Sequence, residues 1–156
     1  MVSKVTKRLN LGKYSGFKDL KPSVKNEVIT EVADYVKESI LSYVGGTKSP
    51  VDNQPFDKLS KKYEKRKGKL SSSAVPNLEL TGKMLDSLEY KPYRGGFEIG
   101  IFDETQAQKA DNHCKFSAKS KSTPLPQRQF IPKKDEGFAR PIEKGIKDII
   151  KEYTDK

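Results

Sequence analysis

The chain has 156 residues, of which 33% are hydrophobic and 33% charged, so its length suits one domain with a modest core and sizeable exposed segments. The formal net charge of +10 indicates an anionic partner, either a nucleic acid or an acidic protein surface, with charge for solubility as an equal alternative. One cysteine excludes an internal disulfide framework, and one histidine beside it is too little for a four-ligand zinc site. Neither a signal segment nor an apolar membrane-spanning run is visible, so we expect a protein made in the cytoplasm. We also expect neither a metal nor a cofactor.

The first 22 residues carry six lysines and arginines against Asp19 alone. Val5, Leu9 and Leu11 favour a short edge strand, while the charge and glycines favour a flexible basic arm. Both alternatives stay open at this point, and residues 23–156 are predicted to form a single α+β domain.

A long helix is predicted after this arm because apolar residues recur at every fourth position, which places them on one helical face. Pro22 or Ser23 begins this helix, and Gly45-Gly46 is expected to end it in a left-handed conformation. The stripe comprises Val24, Val28, Val32, Val36, Ile40 and Val44.

Mobile loops are predicted near residues 45–56, 68–77 and 114–125, where proline, serine and lysine accumulate. Between the first two, Phe56, Leu59 and Tyr63 have helical spacing within a strongly charged segment.

The stretch "NLELTGKMLDSLEY" places Thr81 and Gly82 before a short amphipathic helix. A phosphate-binding loop would need two glycines that bracket four residues before a lysine, and the first glycine is missing. Thr81-Gly82 is therefore interpreted as a helix start, with Met84, Leu85 and Leu88 on one side of the helix.

A β-hairpin is predicted around Arg94-Gly95-Gly96, because Phe97, Ile99 and Ile101 alternate along its second strand. Pro92 places the first strand at an edge.

After the hairpin we expect a brief helix over residues 104–111 with Ala107 and Ala110 inward. A mobile loop follows, and then an extended "LPQRQF" segment that is able to pair as a further strand. A terminal helix, beginning around Ala139 to Pro141, completes the fold, which is predicted as a small antiparallel sheet packed with two long amphipathic helices.

Three basic clusters are the strongest chemical signal, and they lie in residues 1–22, 57–69 and 115–134. The candidate anion-contacting residues are Lys65, Arg66, Lys67, Lys119 and Lys121. Sequence-specific recognition of bases is not indicated, so these clusters are expected to contact a nucleic-acid backbone or acidic proteins. We identify no catalytic constellation. Cys114 and His113 are adjacent in sequence, and adjacent residues rarely form a productive nucleophile–base pair. Asp103, Glu104 and His113 are a weak candidate for a catalytic site.

Several short motifs together carry a family resemblance, in the order "PFDKLSKKYEKRKGK", "LELTGKMLDSLEY", "FEIGIF", "KADNH" and "LPQRQFIP". This order resembles the tail-completion or virion-morphogenesis proteins of tailed bacteriophages, including the Mu-like group. The resemblance covers residues 55 to 150 as a pattern of short motifs.

The resemblance implies a small α+β structural protein, without enzymatic activity, in the neck of the virion between the DNA-filled head and the tail. It implies a homo-oligomeric ring, expected to be sixfold, around the DNA channel. The implied neighbours are connector or head-completion proteins and tail-terminator or tail-tube proteins, with DNA passing through and no membrane. The candidate interface residues are Thr81, Gly82, Arg128 and Phe130, with Arg128 paired either to a neighbouring subunit or within its own chain. The alternative is a basic protein that binds nucleic acid without sequence specificity.

Overall fold

Three strands form one antiparallel sheet in the computed structural model, which describes residues 3–56, 83–117 and 128–155. The strands are β1 (Val5–Asn10), β2 (Leu88–Tyr93) and β3 (Gly96–Ile101), and their order in the sheet is β1-β3-β2. The predicted hairpin is thus β2–β3, and the N-terminal segment forms an edge strand. Gly100 faces the backbone of β1 so closely that a Cβ there would overlap the carbonyl oxygen of Val5.

Helices cover one face of this sheet. They are α1 (Pro22–Gly45), the short α2 (Lys83–Asp86), α3 (Glu104–Cys114) and α4 (Arg140–Thr154). Helix α1 packs against α4 and against β2 and β3, and its apolar stripe lies in the core with the inward residues of β3. The predicted α+β class and both long helices are confirmed, with Pro22 and Pro141 in the first turns, where no backbone N–H is required.

The conformation that ends α1 differs from the prediction. Gly46 has a φ of −89°, and the left-handed residue is Thr47, with a φ of 62°. Lys48 N–H bonds to the carbonyl of Tyr43 at 2.9 Å and Thr47 N–H to that of Val44 at 3.0 Å. The helix therefore ends at Gly45 as predicted, in a Schellman-type turn whose left-handed residue is Thr47 and not a glycine.

Residues 45–56, predicted as a mobile loop, form a turn that is tied to other parts of the chain. Ser49 N–H bonds to Gln54 O, and the Ser49 hydroxyl donates to Gln129 O at 2.6 Å. Ala139 N–H donates to Pro50 O at 2.8 Å. These contacts join the turn to the segments before α4.

Helix α3 is longer than predicted and ends at Cys114, so His113 lies in its last turn and not in a loop. Asp103 begins the helix by accepting a 2.8 Å hydrogen bond from Gln106 N–H, and Ala107 and Ala110 are buried as expected. The "LPQRQF" segment does not become a strand in its described part. Its first described residue, Arg128, donates its backbone N–H to His113 O at the end of α3.

Candidate interaction surfaces

Two of the predicted interface residues, Arg128 and Phe130, lie inside the subunit. Their exposed fractions are 4% and 0%, so neither side chain offers much surface to a neighbouring molecule. Both belong instead to a junction where the chain passes over the end of α3. The other predicted site residues, Thr81, Gly82, Lys65, Arg66, Lys67, Lys119 and Lys121, lie outside the described residues.

Cys114 is at the centre of this junction. Its side chain is fully buried, and burial raises the pKa of the thiol to about 12, although the backbone N–H groups of Phe130 and Ile131 hydrogen-bond the sulfur. A thiol with so high a pKa is a poor nucleophile at neutral pH. Cys114 therefore acts as a small apolar contact between α3 and the following segment.

The turn after α3 is organised by Asp111, a residue of the last turn of that helix. Asp111 is 4% exposed, and one of its carboxylate oxygens accepts hydrogen bonds from the N–H groups of Phe116 and Ser117, at 2.8 and 2.9 Å. The other oxygen accepts from the Ser117 hydroxyl at 2.6 Å. This carboxylate is structural, because it satisfies the backbone donors that follow the helix.

The weak catalytic candidate does not assemble as a cluster. Asp103 and Glu104 lie at the start of α3 and His113 in its last turn. Nine residues of helix separate Glu104 from His113 by about 14 Å along the axis. The carboxylates and the imidazole therefore cannot act on the same reacting atom.

A basic groove runs along the edge strand β1 with a volume of about 750 Å³. Its cations come from β1 and its approach, and from the segment before α4; Phe116 contributes an apolar wall, and Glu98 and Asp135 are its carboxylates. We define the basic groove by its five cations, which are Lys4, Lys7, Arg8, Lys133 and Lys134.

Lys7 fixes the shape of the basic groove. Its ammonium donates to the carbonyl oxygens of Lys133 and Lys134, at 3.0 and 2.9 Å, and so ties β1 to the segment before α4. Burial, and then the nearby charge of Lys13, lower the pKa of Lys7. These two hydrogen bonds hold the segment before α4 alongside β1.

Glu98 lies between the cations of β1 on the outer face of the sheet. Lys4 forms a 2.7 Å ion pair with it, and the Thr6 hydroxyl donates a hydrogen bond to the same oxygen. Burial acts to raise the pKa of Glu98, but the hydrogen bonds from Lys4 and Thr6 outweigh it and leave the pKa below its ordinary value. Arg8, directly opposite Glu98 on β1, stacks on Tyr93, with its guanidinium carbon 4.3 Å from the ring centroid.

An acidic ridge runs along the solvent side of α1. The four carboxylates are spaced by four, three and four residues, which places them on one helical face. That face is centred opposite the buried one, to which Ile29, Val32, Val36 and Ile40 belong. We define the acidic ridge by its residues, which are Glu27, Glu31, Asp34 and Glu38.

Two tyrosines hold carboxylates of the acidic ridge in place. Tyr153, on α4, donates from its hydroxyl to Glu31, and Tyr90, on β2, donates to Asp34 at 2.8 Å. The hydrogen bond to Glu31 is the main reason that the pKa of Tyr153 rises to about 12, and the bond to Asp34 raises that of Tyr90. Neither of the two ion pairs that join described residues, Lys4–Glu98 and Lys144–Asp148, involves this ridge.

The charge of the described body is far more balanced than the sequence total. Residues 3–56, 83–117 and 128–155 contain 21 lysines and arginines against 18 aspartates and glutamates, so their net charge is +3, compared with +10 for the whole chain.

The acidic ridge was not predicted from the sequence, although its 4-3-4 spacing was visible. The basic groove was not predicted either, and no local pattern announces it because it joins residues more than a hundred positions apart.

Within the part of the chain that the structure describes, none of the helices is both long and apolar enough to cross a membrane. Comparisons of the chain with family models, with curated proteins and with solved structures gave no match.

Proposed function

We propose that this protein is a structural, non-enzymatic subunit of the neck of a tailed bacteriophage, where it joins the DNA-filled head to the tail. In this role it forms a closed ring around the DNA channel, and the family resemblance makes a sixfold ring the expectation. Its neighbours are connector or head-completion proteins on one side and tail-terminator or tail-tube proteins on the other. Its place is the virion.

The observation that carries this proposal is the convergence of the resembling motifs on α3. Four motif segments within the described residues contribute to one core: Met84 to Leu88, Phe97 to Phe102, Ala107 to His113, and Arg128 to Pro132. Backbone contacts join them, since Arg128 N–H bonds to His113 O and the N–H groups of Phe130 and Ile131 reach the Cys114 sulfur. The motifs that carry the resemblance as a linear order thus form one contiguous unit in the fold.

Electron microscopy of the purified protein tests this proposal. Class averages should show closed rings of uniform size with a central channel, because heterologous contacts around a symmetry axis close on themselves. In virions that carry the protein, antibody-gold labelling should be confined to the neck. Labelling of the capsid or of the tail tip would refute the proposed place, and particles without a channel would refute the ring.

A second candidate, binding to nucleic acid without sequence specificity, is favoured by the basic groove. Five cations beside Phe116 are able to contact phosphates and one base. One observation weighs against it: the carboxylates of Glu98 and Asp135 line the same groove. A nucleic-acid binder would lose affinity steeply as salt increases, with a log–log slope of about −0.9 per neutralised phosphate.

A further inference from the structure

The basic groove follows the β1 edge of the sheet, with Lys7 on the same face as Ile99 and Arg8 on the opposite face, whereas the acidic ridge lies on the helical layer. Thr6, Arg8 and Glu98 lie on the outward face of the sheet, since Val5, Leu9 and Ile99 occupy the alternate positions and are buried. The ridge lies on the outward face of α1, on the helical layer that covers the other side of the sheet. One subunit therefore cannot bring its own ridge into its own groove.

From these two surfaces we propose that the basic groove receives the acidic ridge of a second copy of this chain. The inference rests on the homo-oligomer of the proposed function and names the surfaces that build it. A contact between two different surfaces of identical chains is heterologous, and such contacts generate either a ring or an open filament.

The two surfaces match in length. From Glu27 to Glu38 the ridge spans eleven residues of helix, about 16 Å at 1.5 Å per residue. From Lys4 to Arg8 the groove follows four residues of strand, about 13 Å at 3.3 Å per residue. Lys133 and Lys134 widen the cationic surface beside β1. A single helix edge therefore has the right size to lie along the strand.

The two surfaces also match in charge. The ridge presents four carboxylates; in the groove Lys7 bonds to backbone carbonyls and Lys4 pairs with Glu98, which leaves Arg8, Lys133 and Lys134, beside Asp135, to meet the ridge. Glu98 is already occupied by Lys4 and Thr6. The carboxylates that Tyr153 and Tyr90 bind keep fixed positions before association, so less side-chain freedom is lost when the surfaces meet.

A second copy fits the groove better than a nucleic acid does. A phosphate backbone would bring negative charge against Glu98 and Asp135, while the discrete carboxylates of a helix are able to lie between them. If the groove bound a nucleic acid, the acidic ridge of the same subunit would be left without a binding partner. Pairing groove with ridge accounts for both surfaces with one contact.

Charge-reversal variants test the pairing by sedimentation velocity at near-physiological salt. The groove variant is Lys133→Glu with Lys134→Glu, and the ridge variant is Glu27→Lys with Glu38→Lys. These ridge positions have the weakest internal contacts: Tyr153 reaches Glu27 only at 3.5 Å. We expect each variant alone to associate about 100-fold more weakly than the wild-type chain, since charge pairs across an interface couple strongly.

A one-to-one mixture of the two variants gives the decisive result. In the mixture every reversed groove can face a reversed ridge, and every wild-type ridge can face a wild-type groove, so alternating oligomers should form again. Recovery by mixing also shows that the variants are folded. The matched control is Lys147→Glu with Lys151→Glu, two exposed residues of α4 outside both surfaces, and it should leave association unchanged.

The remaining outcomes overturn the pairing in separate ways. If the wild-type chain forms a discrete oligomer and both variants keep it, or the mixture does not assemble, this inference fails while the proposed function stands. If the wild-type chain is a monomer at every concentration, both fail. If the groove variant instead loses binding to duplex DNA that the wild-type monomer shows, the groove belongs to nucleic acid.

Discussion

The phenol of Tyr14 donates a 2.6 Å hydrogen bond to the carboxylate of Glu143, and so joins the segment after β1 to the first turn of α4. The two residues are 129 positions apart, and Tyr14 is only 7% exposed. The contact connects the edge strand that carries the basic groove to the helix that carries Tyr153.

Replacing Tyr14 by phenylalanine should lower the free energy of unfolding by about 1–2 kcal/mol, because a buried hydrogen bond to a charged group is lost. Urea denaturation measures this change. Tyr43, which is half-buried against the core, provides the control: Tyr43→Phe should change the free energy of unfolding by less than about 0.5 kcal/mol. Equal losses in the two variants would contradict a special role for the bond to Glu143.

The same hydrogen bond makes stability depend on alkaline pH. Burial first, and then the bond to Glu143, raise the pKa of Tyr14 above its ordinary value of 10.0. The unfolded tyrosine ionises near that ordinary value while the folded one stays protonated, so this contribution is complete below about pH 10 and is lost as the pH rises further. Urea titrations from pH 8 to pH 11 should therefore show a steeper loss of stability for the wild-type protein than for Tyr14→Phe. Parallel pH profiles would contradict the assignment.

The phenol of Tyr35, on α1, packs directly against Gly145, on α4. A Cβ at this position would overlap the phenol of Tyr35, so Gly145→Ala should displace that ring and destabilise the protein by about 1–2 kcal/mol, despite the better helix propensity of alanine. Gly45→Ala, at the end of α1, is the matched control because nothing lies within 4 Å of its Cβ. It should be neutral or slightly stabilising. A stabilised Gly145→Ala variant in thermal denaturation would show that α1 and α4 are not so closely packed.

Asp111→Ala should cost about 2–4 kcal/mol, because the substitution leaves the Phe116 and Ser117 N–H groups without their shared acceptor. Asp111→Asn keeps one carbonyl oxygen for these donors and should lose clearly less. The two variants are compared by urea denaturation. If Asp111→Asn is as unstable as Asp111→Ala, the negative charge is what matters, and not the geometry of the turn.

Alkylation of Cys114 tests the buried junction after α3. At pH 8 the native protein should react with iodoacetamide at least about 100-fold more slowly than the urea-unfolded chain, since burial raises the pKa of the thiol to about 12 and hides it from solvent. Reaction of the native protein at the unfolded rate would mean that the segment over α3 opens freely.

Local patterns sufficed for most of the fold. The apolar period of four gave α1 and α4, and the alternation of Phe97, Ile99 and Ile101 around a glycine turn gave the hairpin. These patterns can be read from neighbouring residues, because each helix or strand must bury one of its faces and therefore repeats apolar residues along its own length. The edge strand β1 stayed ambiguous in sequence because its conformation depends on pairing with β3, which lies about ninety residues away.

The sites were harder to predict because they depend on tertiary contacts. The sequence pattern ended α3 before Cys114, since the polar residues there resemble a loop. The helix continues because Asp111 satisfies the donors beyond it and the backbone N–H groups of Phe130 and Ile131 bind the Cys114 sulfur. Arg128 looks like an exposed cation in sequence, yet it is buried in the structure. The acidic ridge was readable from its spacing, and only its partner surface required the fold.

The native mass of the purified protein, measured with and without duplex DNA at low and at near-physiological salt, tests the central claim most directly. We expect a discrete species without DNA at six times the 17.6 kDa of one chain, with no DNA complex at near-physiological salt. A monomer that binds DNA tightly in both buffers would contradict the central claim and would identify the basic residues as a nucleic-acid surface.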